Sequence, residues 1–369
     1  MTKNILLFLL LLQLRNVAVC ADPVSPRLLR GAQNHSTTTK RDNDEDEIVV
    51  RYYAKARTDQ SGRQMVRFLQ LDAVAWVRGG VVGGACPDFR HSFKALTPDD
   101  IRRHVNETER LLSYLGLQDL FRFECPSQED LDSGKAIFLT TKQVKSDTTT
   151  MFTPEWLASL RNRVSFPYDD DNNNNNEITP SSSTHTTTPI IQPTEPSTAT
   201  TSTAVPRKPL QVAVHVRRGD VTPCSRKKAV VARYLPNAFY AKLLDTYLPQ
   251  YCGGDAMNTT LTQNCNVTIY TESETLEDFA IFQERGYHMN LDGHLGQVWT
   301  DMIRADILVT SQSAFSYVPA FLNRHVVIQP QYFELPPLPG WVVIPYSSNL
   351  LVAARLETEQ LAAQHCGQT

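Results

Sequence analysis

The chain has 369 residues, is 41% hydrophobic and carries a formal net charge of −3. That length and apolar content suffice for two α/β domains with spacers. The near-neutral balance gives no basis for nucleic-acid binding, and outside a short leader no stretch approaches the length of a membrane span.

Residues 1–21 read as a secretory signal peptide. Lys3 supplies the positive n-region, Ile5 to Leu12 the apolar h-region, and Val19-Cys20-Ala21 the small residues before cleavage at Asp22. Six of the seven cysteines lie beyond it: Cys86, Cys125, Cys224, Cys252, Cys265 and Cys366. An even count in a secreted chain permits three disulfides, with Cys252–Cys265 the local candidate. None forms a C-x-x-C pair, which argues against a zinc site.

Residues 22–47 form a polar arm, expected to be disordered, with Arg27-Leu28-Leu29-Arg30 near its start and an acidic run over 42–47. This layout resembles the RxLR class of oomycete secreted effectors. The resemblance implies secretion, entry into a host plant cell, an unidentified host protein partner, and suppression of defence-linked cell death. The acidic run differs from the E-E-R that often follows in that class.

A first α/β domain is expected over 48–166. Ile48 to Ala54 and Met65 to Val77 carry strand-like residues, and Arg78 to Gly84 reads as a glycine-rich loop after the second of them. It does not match G-x-G-x-x-G. Asp99 to Leu115 has the apolar stripe of a helix, Ala136 to Leu139 reads as a strand, and Pro154 to Leu160 as a short helix. Residues 167–207 then form a low-complexity spacer of Asp, Asn, Ser, Thr and Pro that cannot bury a core. Its Asp169-Asp170-Asp171 run lacks a strand to aim the carboxylates, so no metal is expected.

From 208 to 369 the alternation is regular. Strands are expected at 212–216, 267–270, 287–291, 306–309 and 326–329. Helices are expected at 236–248, 275–284, 295–304 and 313–322, with Pro319 tolerated in the last only by a kink or an early end. This spacing predicts a doubly wound parallel sheet. In such sheets ligands bind outside the carboxyl ends of the strands. Three ends bring polar groups there: Arg217, Arg218, Gly219 and Asp220; Thr271, Glu272 and Ser273; and Thr310 to Ser313 before a helix. Paired guanidinium forks suit a diphosphate, Gly219 lets the backbone approach it, and a helix N-terminus with Ser311 and Ser313 is a natural phosphate seat.

His215-Val216-Arg217-Arg218-Gly219-Asp220 resembles the H-x-R-R-x-D motif of the α-1,2-, α-1,6- and protein-O-fucosyltransferase superfamily. Residues 267–273 and 305–316 resemble that family's second and third motifs. The resemblance covers about residues 210–330 well and the first domain loosely. It implies a two-domain GT-B fold with two Rossmann-like halves, and transfer of fucose from GDP-fucose to an unknown glycan or protein acceptor, with inversion and without a metal. His215 and Arg217 would contact the donor, Arg218 and Asp220 would shape the site, and Ser313 would bind phosphate. Arg217 and Arg218 would stabilise the leaving diphosphate, and Glu272 and Asp220 are candidate bases. Glu272-Ser273 and Ala314 depart from the family's usual residues. Sequons at Asn34, Asn106, Asn258 and Asn266 are compatible with secretion. The chain thus reads as a secreted effector on a fucosyltransferase-like domain. The alternative is a fucosyltransferase of the producing organism's ER or Golgi lumen, with no effector role.

Overall fold

Alternating strands and helices build two wholly parallel sheets, one in each half of the chain. The fold is α/β, as the alternation of strand-like runs and helical stripes predicts. The computed structural model describes residues 49–56, 61–87, 98–141, 143–144, 151–164, 208–253, 264–332 and 335–366. The leader, the arm with Arg27-Leu28-Leu29-Arg30, the sequons at Asn34 and Asn258, and the 167–207 spacer lie outside the described residues. The described residues all belong to one compact unit.

The first sheet has the order β2-β1-β3, with β1 at Arg51–Lys55, β2 at Val81–Cys86 and β3 at Ala136–Leu139. Helices α1 (Ser61–Arg78), α2 (Pro98–Tyr114) and α3 (Pro154–Arg163) accompany it. Two expectations are corrected here. Met65 to Val77 is the body of α1, not a strand. It is buried on nearly every side: Leu71, Val74 and Ala75 pack with Tyr52 and Ala54 of β1, while Met65, Phe68 and Leu69 join a core that includes Trp299 and Phe321. A helix without a solvent face loses the 3.6-residue stripe that identifies helices in sequence. The glycine-rich run is mostly strand β2, not a loop. A Cβ at Gly83 would lie 2.3 Å from the Tyr53 ring, so the missing side chain is what lets that aromatic ring lie against β2. Buried Asp72 on α1 accepts hydrogen bonds from Trp156 (2.8 Å) and Arg163 (2.6 Å), which pins α3 to α1.

The second sheet has the order β6-β5-β4-β7-β8-β9. Its strands are β4 (Leu210–His215), β5 (Cys265–Thr271), β6 (His288–Leu291), β7 (Ile307–Val309), β8 (Val326–Pro330) and β9 (Val342–Ile344). Helices α4 (Asn237–Tyr247), α5 (Leu295–Arg304), α6 (Ala314–Leu322) and α7 (Asn349–His365) cover both faces. Val212 and Val214 point into one cluster with Leu243, Leu244 and Leu351, whereas Ala213 and Leu308 point into the other with Met302 and Ala320. Side chains alternate across a strand, so a sheet covered on both faces needs apolar residues at every position. The doubly wound expectation is met. β4 is the first strand of this half, and the chain winds outward from it in both directions, the order of a Rossmann sheet. The turning point falls between β4 and β7.

The helix expected over 275–284 contracts to Ala280–Gln283, because Glu277 is drawn inward by partners described below. β9 and α7 were not expected. α6 ends at Leu322, three residues past Pro319, and Ser313 caps its start by accepting from the Phe315 amide. Disulfides join Cys86 to Cys125, Cys224 to Cys366 and Cys252 to Cys265. One hydrophobic core runs through both halves, combining Phe68, Leu112 and Trp156 with Trp299, Tyr317 and Phe321.

Candidate functional site

A cleft of about 410 Å³ opens where the carboxyl ends of β4, β5 and β6 face the starts of α1 and α6 and one side of α2. His215, Arg217, Asp220 and Glu272 line it from the second half, and Ser61, Arg63, His104 and Glu107 from the first.

Arg217 follows β4 at the turning point of the sheet. Its Nη2 donates to both Asp220 carboxylate oxygens, at 2.7 and 2.9 Å. Its Nη1 donates to the hydroxyl of Ser313, which follows β7. The guanidinium thus bridges the two strands whose divergence creates the crevice, and two side chains fix its orientation. Its side chain is 10% exposed, against 52% for Asp220.

Arg218 has a different fate. Its side chain lies inside the second half, 2% exposed. Nη1 donates to the carbonyls of Arg217 (2.8 Å) and Leu235 (3.1 Å), and Nη2 to Asn237 and to Glu277 at 3.1 Å. The guanidinium carbon stands 4.5 Å from the centre of the Tyr234 ring. Glu277 also accepts from the Tyr234 hydroxyl and from the Asn237 amide. Both arginines line the cleft, but Arg218 directs its guanidinium to partners inside the second half and so anchors the loop that carries Arg217.

Ser311 and Ser313 are both buried, and neither is among the residues that line the cleft. Ser311 Oγ is 2.7 Å from His215 Nδ1 and fixes that ring, which also lies 4.8 Å from the Phe315 ring. Burial, followed by the charges of Arg217 and Arg218, lowers the His215 pKa from 6.5 to about 3. The imidazole is neutral at physiological pH and adds no charge to the site. The α6 N-terminus does reach the cleft through Ala314 and Phe315.

Glu272 lies against the turn at Gly219. Gly219 has φ +68°, and a Cβ there would lie 1.6 Å from the Glu272 carboxylate oxygen. Only glycine accepts both the backbone angle and that contact. Burial raises the Glu272 pKa; Arg217 opposes the rise, and Asp220, Asp292 and Glu274 add to it. Glu272 accepts no side-chain hydrogen bond among the described residues. Asp220, by contrast, accepts from Arg217 at both oxygens.

Several lining residues carried no signal in the sequence. Asp292 has φ +52°, uncommon for a non-glycine residue, and accepts from the Ser273 amide at 3.0 Å. Ser61, Arg63, His104 and Glu107 lie in ordinary helical sequence, and only the packing of α1 and α2 brings them to the cleft. The Asp-Gly pair at 292–293, just past a short strand, was the one local hint of a turn.

Of the sequons, Asn106 is exposed on α2, but Thr108 is buried and donates to the His104 carbonyl. Asn266 sits on β5 and donates to Gln211 at 3.0 Å. No helix among the described residues is long and apolar enough to cross a membrane, and no group of three or more His, Cys, Asp or Glu among them is placed to hold a metal ion.

Comparisons with protein-family models, with curated proteins and with solved structures return no match.

Proposed function

We propose that the cleft binds a nucleotide diphosphate sugar, with GDP-fucose the preferred candidate, and transfers the sugar to a hydroxyl acceptor with inversion. The observation that carries this reading is the placement of Arg217. A fixed guanidinium stands at the turning point of a doubly wound sheet, beside a helix N-terminus, where such folds bind phosphate groups. Two parallel α/β halves facing one cleft also suit a GT-B arrangement. Arg217 would take up the charge that develops on the leaving diphosphate, and its preset orientation lowers the reorganisation needed in the transition state. Neutral His215 would donate or accept a hydrogen bond without competing for the phosphates.

The delivery reading rests on the sequence alone. The leader and the Arg27-Leu28-Leu29-Arg30 arm favour a secreted effector of the RxLR class that acts inside a host plant cell, with a luminal ER or Golgi enzyme as the alternative. Three disulfides are compatible with a secretory route.

Thermal-shift titration with GDP, UDP, ADP and GDP-fucose tests the site. A rise in melting temperature is expected with the guanine nucleotides, and no shift with any of them would refute nucleotide-sugar binding. Expressing residues 22–369 in leaf beside a cell-death elicitor tests the effector role inside the host cell. Suppression by wild type and not by Arg217→Ala would join the two readings. Suppression by both would make the site dispensable to the effector. Suppression by neither, with the protein retained in the lumen of its producer, favours the luminal enzyme.

A further inference from the structure

The wall of the cleft opposite Arg217 carries its own cluster. His104, Glu107 and Leu111 recur at helical spacing on α2, which places them on one face, and all three line the cleft. Ser61, at the first turn of α1, donates its hydroxyl to Glu107 Oε2 at 2.8 Å. His104 Nδ1 stands 3.6 Å from the same oxygen, too far for a hydrogen bond. That nitrogen is buried and has no hydrogen-bond partner among the described residues. Glu107 keeps 43% of its side chain exposed, and its Oε1 accepts no hydrogen bond among the described residues. A serine therefore holds one carboxylate oxygen and leaves the other without a hydrogen bond among the described residues.

Leu111, Leu112 and Leu115 supply the apolar contact of α2. A carboxylate bound at one oxygen and not at the other, across a cleft from a fixed guanidinium, has the form of a proton acceptor facing an electrostatic clamp.

We propose that Glu107 is the base that accepts the proton of the incoming hydroxyl, with Ser61 positioning it, so that the acceptor binds on the α2 wall as a neutral alcohol. The proposal rests on the nucleotide-sugar reading given above. In the step, the hydroxyl oxygen forms a bond to the anomeric carbon while its proton passes to Glu107 Oε1. The bond from the anomeric carbon to the diphosphate oxygen breaks, and its electron pair leaves with the diphosphate against Arg217. Protonated Glu107 then returns its proton to solvent. Glu272, on the same wall as Arg217, is left to shape the donor side.

The test uses the full mature chain with its disulfides intact and GDP-fucose as the probe, with water as the acceptor hydroxyl. GDP binding and GDP release are measured for wild type, Glu107→Gln and Ser61→Ala. Glu107→Gln is expected to bind GDP within about twofold of wild type and to release it about 10²–10⁴-fold more slowly, the usual contribution of a general base. Ser61→Ala keeps the carboxylate, so a smaller fall in turnover with unchanged binding is expected, and this variant decides the matter if Glu107→Gln fails to fold. Wild-type turnover with either folded variant at the wild-type rate overturns the proposal and leaves the nucleotide-sugar reading standing. A wild type that binds GDP-fucose and releases no GDP also overturns it. Absence of any GDP or GDP-fucose binding overturns the reading and the proposal together.

Discussion

Replacing Arg218 with alanine removes hydrogen bonds to two carbonyls, to Asn237 and to Glu277, together with the stacking contact on Tyr234. It also strands Glu277 beside the Tyr234 hydroxyl with no positive partner. Breaking one member of a buried ion pair typically costs about 3–5 kcal/mol. Arg218→Ala should therefore lower the unfolding free energy by that order, measured in urea. Arg217→Ala, whose guanidinium lies in the cleft wall, should leave it within about 1 kcal/mol of wild type. His215 gives a pH signature. Its pKa is 6.5 in the unfolded chain and about 3 in the folded one, so the unfolded state binds more protons between those values. This residue's contribution to stability is complete above about pH 6.5 and is lost as pH falls toward 3, by up to about 1.4 kcal/mol per pH unit. His215→Gln should flatten the acid limb of stability against pH, and the wild-type ring should show no NMR titration between pH 5 and 8.

At the scale of elements, the turn at Gly219 is the sharpest constraint. Gly219→Ala meets both a left-handed backbone angle and the Glu272 carboxylate. The backbone angle alone costs about 1–2 kcal/mol in an L-residue. Glu272 must also move, so weaker GDP binding should accompany the lost stability, and binding preserved at the wild-type level would show that Glu272 does not hold the donor side. The strand–turn–strand logic of this half was legible because β4, β5, β7 and β8 are short, β-branched and bounded by polar turns. Arg217, Asp220 and Glu272 could be placed at strand ends on that basis. The partition of Arg217 and Arg218 was not legible. Adjacent residues in a turn point in different directions, and the direction of Arg218 is set by Glu277, fifty-nine positions away. α1 was misread because its burial on all sides erased its stripe. β2 was misread because its Gly83 answers to Tyr53 on another strand and its Gly84 to the backbone at Arg122 and Glu124. Glu107 and Ser61 meet only when α1 packs on α2, which no local pattern encodes.

At the scale of the molecule, the shared core and the disulfides decide how the halves behave. Trp299, Tyr317 and Phe321 of the second half are packed with Phe68, Leu112 and Trp156 of the first. The two halves should melt in one cooperative transition in calorimetry, and two separated transitions would count against the shared core. Cys224–Cys366 spans 142 residues, the longest separation of the three bridges. In the chain-entropy model its removal costs more than that of Cys252–Cys265, about 5 against about 3 kcal/mol. Cys224→Ser/Cys366→Ser should therefore lower the melting temperature further than Cys252→Ser/Cys265→Ser. The comparison bears on delivery, since an effector that reaches a reducing host cytosol must keep its cleft assembled without these bridges.

The most direct test of the account is calorimetric titration of GDP into the oxidised mature chain, as wild type and as Arg217→Ala. The account predicts that wild type binds and that Arg217→Ala binds about 10–100-fold more weakly, the loss expected for charge-assisted hydrogen bonds worth about 1.5–3 kcal/mol, with its melting temperature unchanged. Wild-type protein that does not bind GDP, or Arg217→Ala that binds it equally well, would contradict the claim that the turning point between β4 and β7 is a diphosphate site.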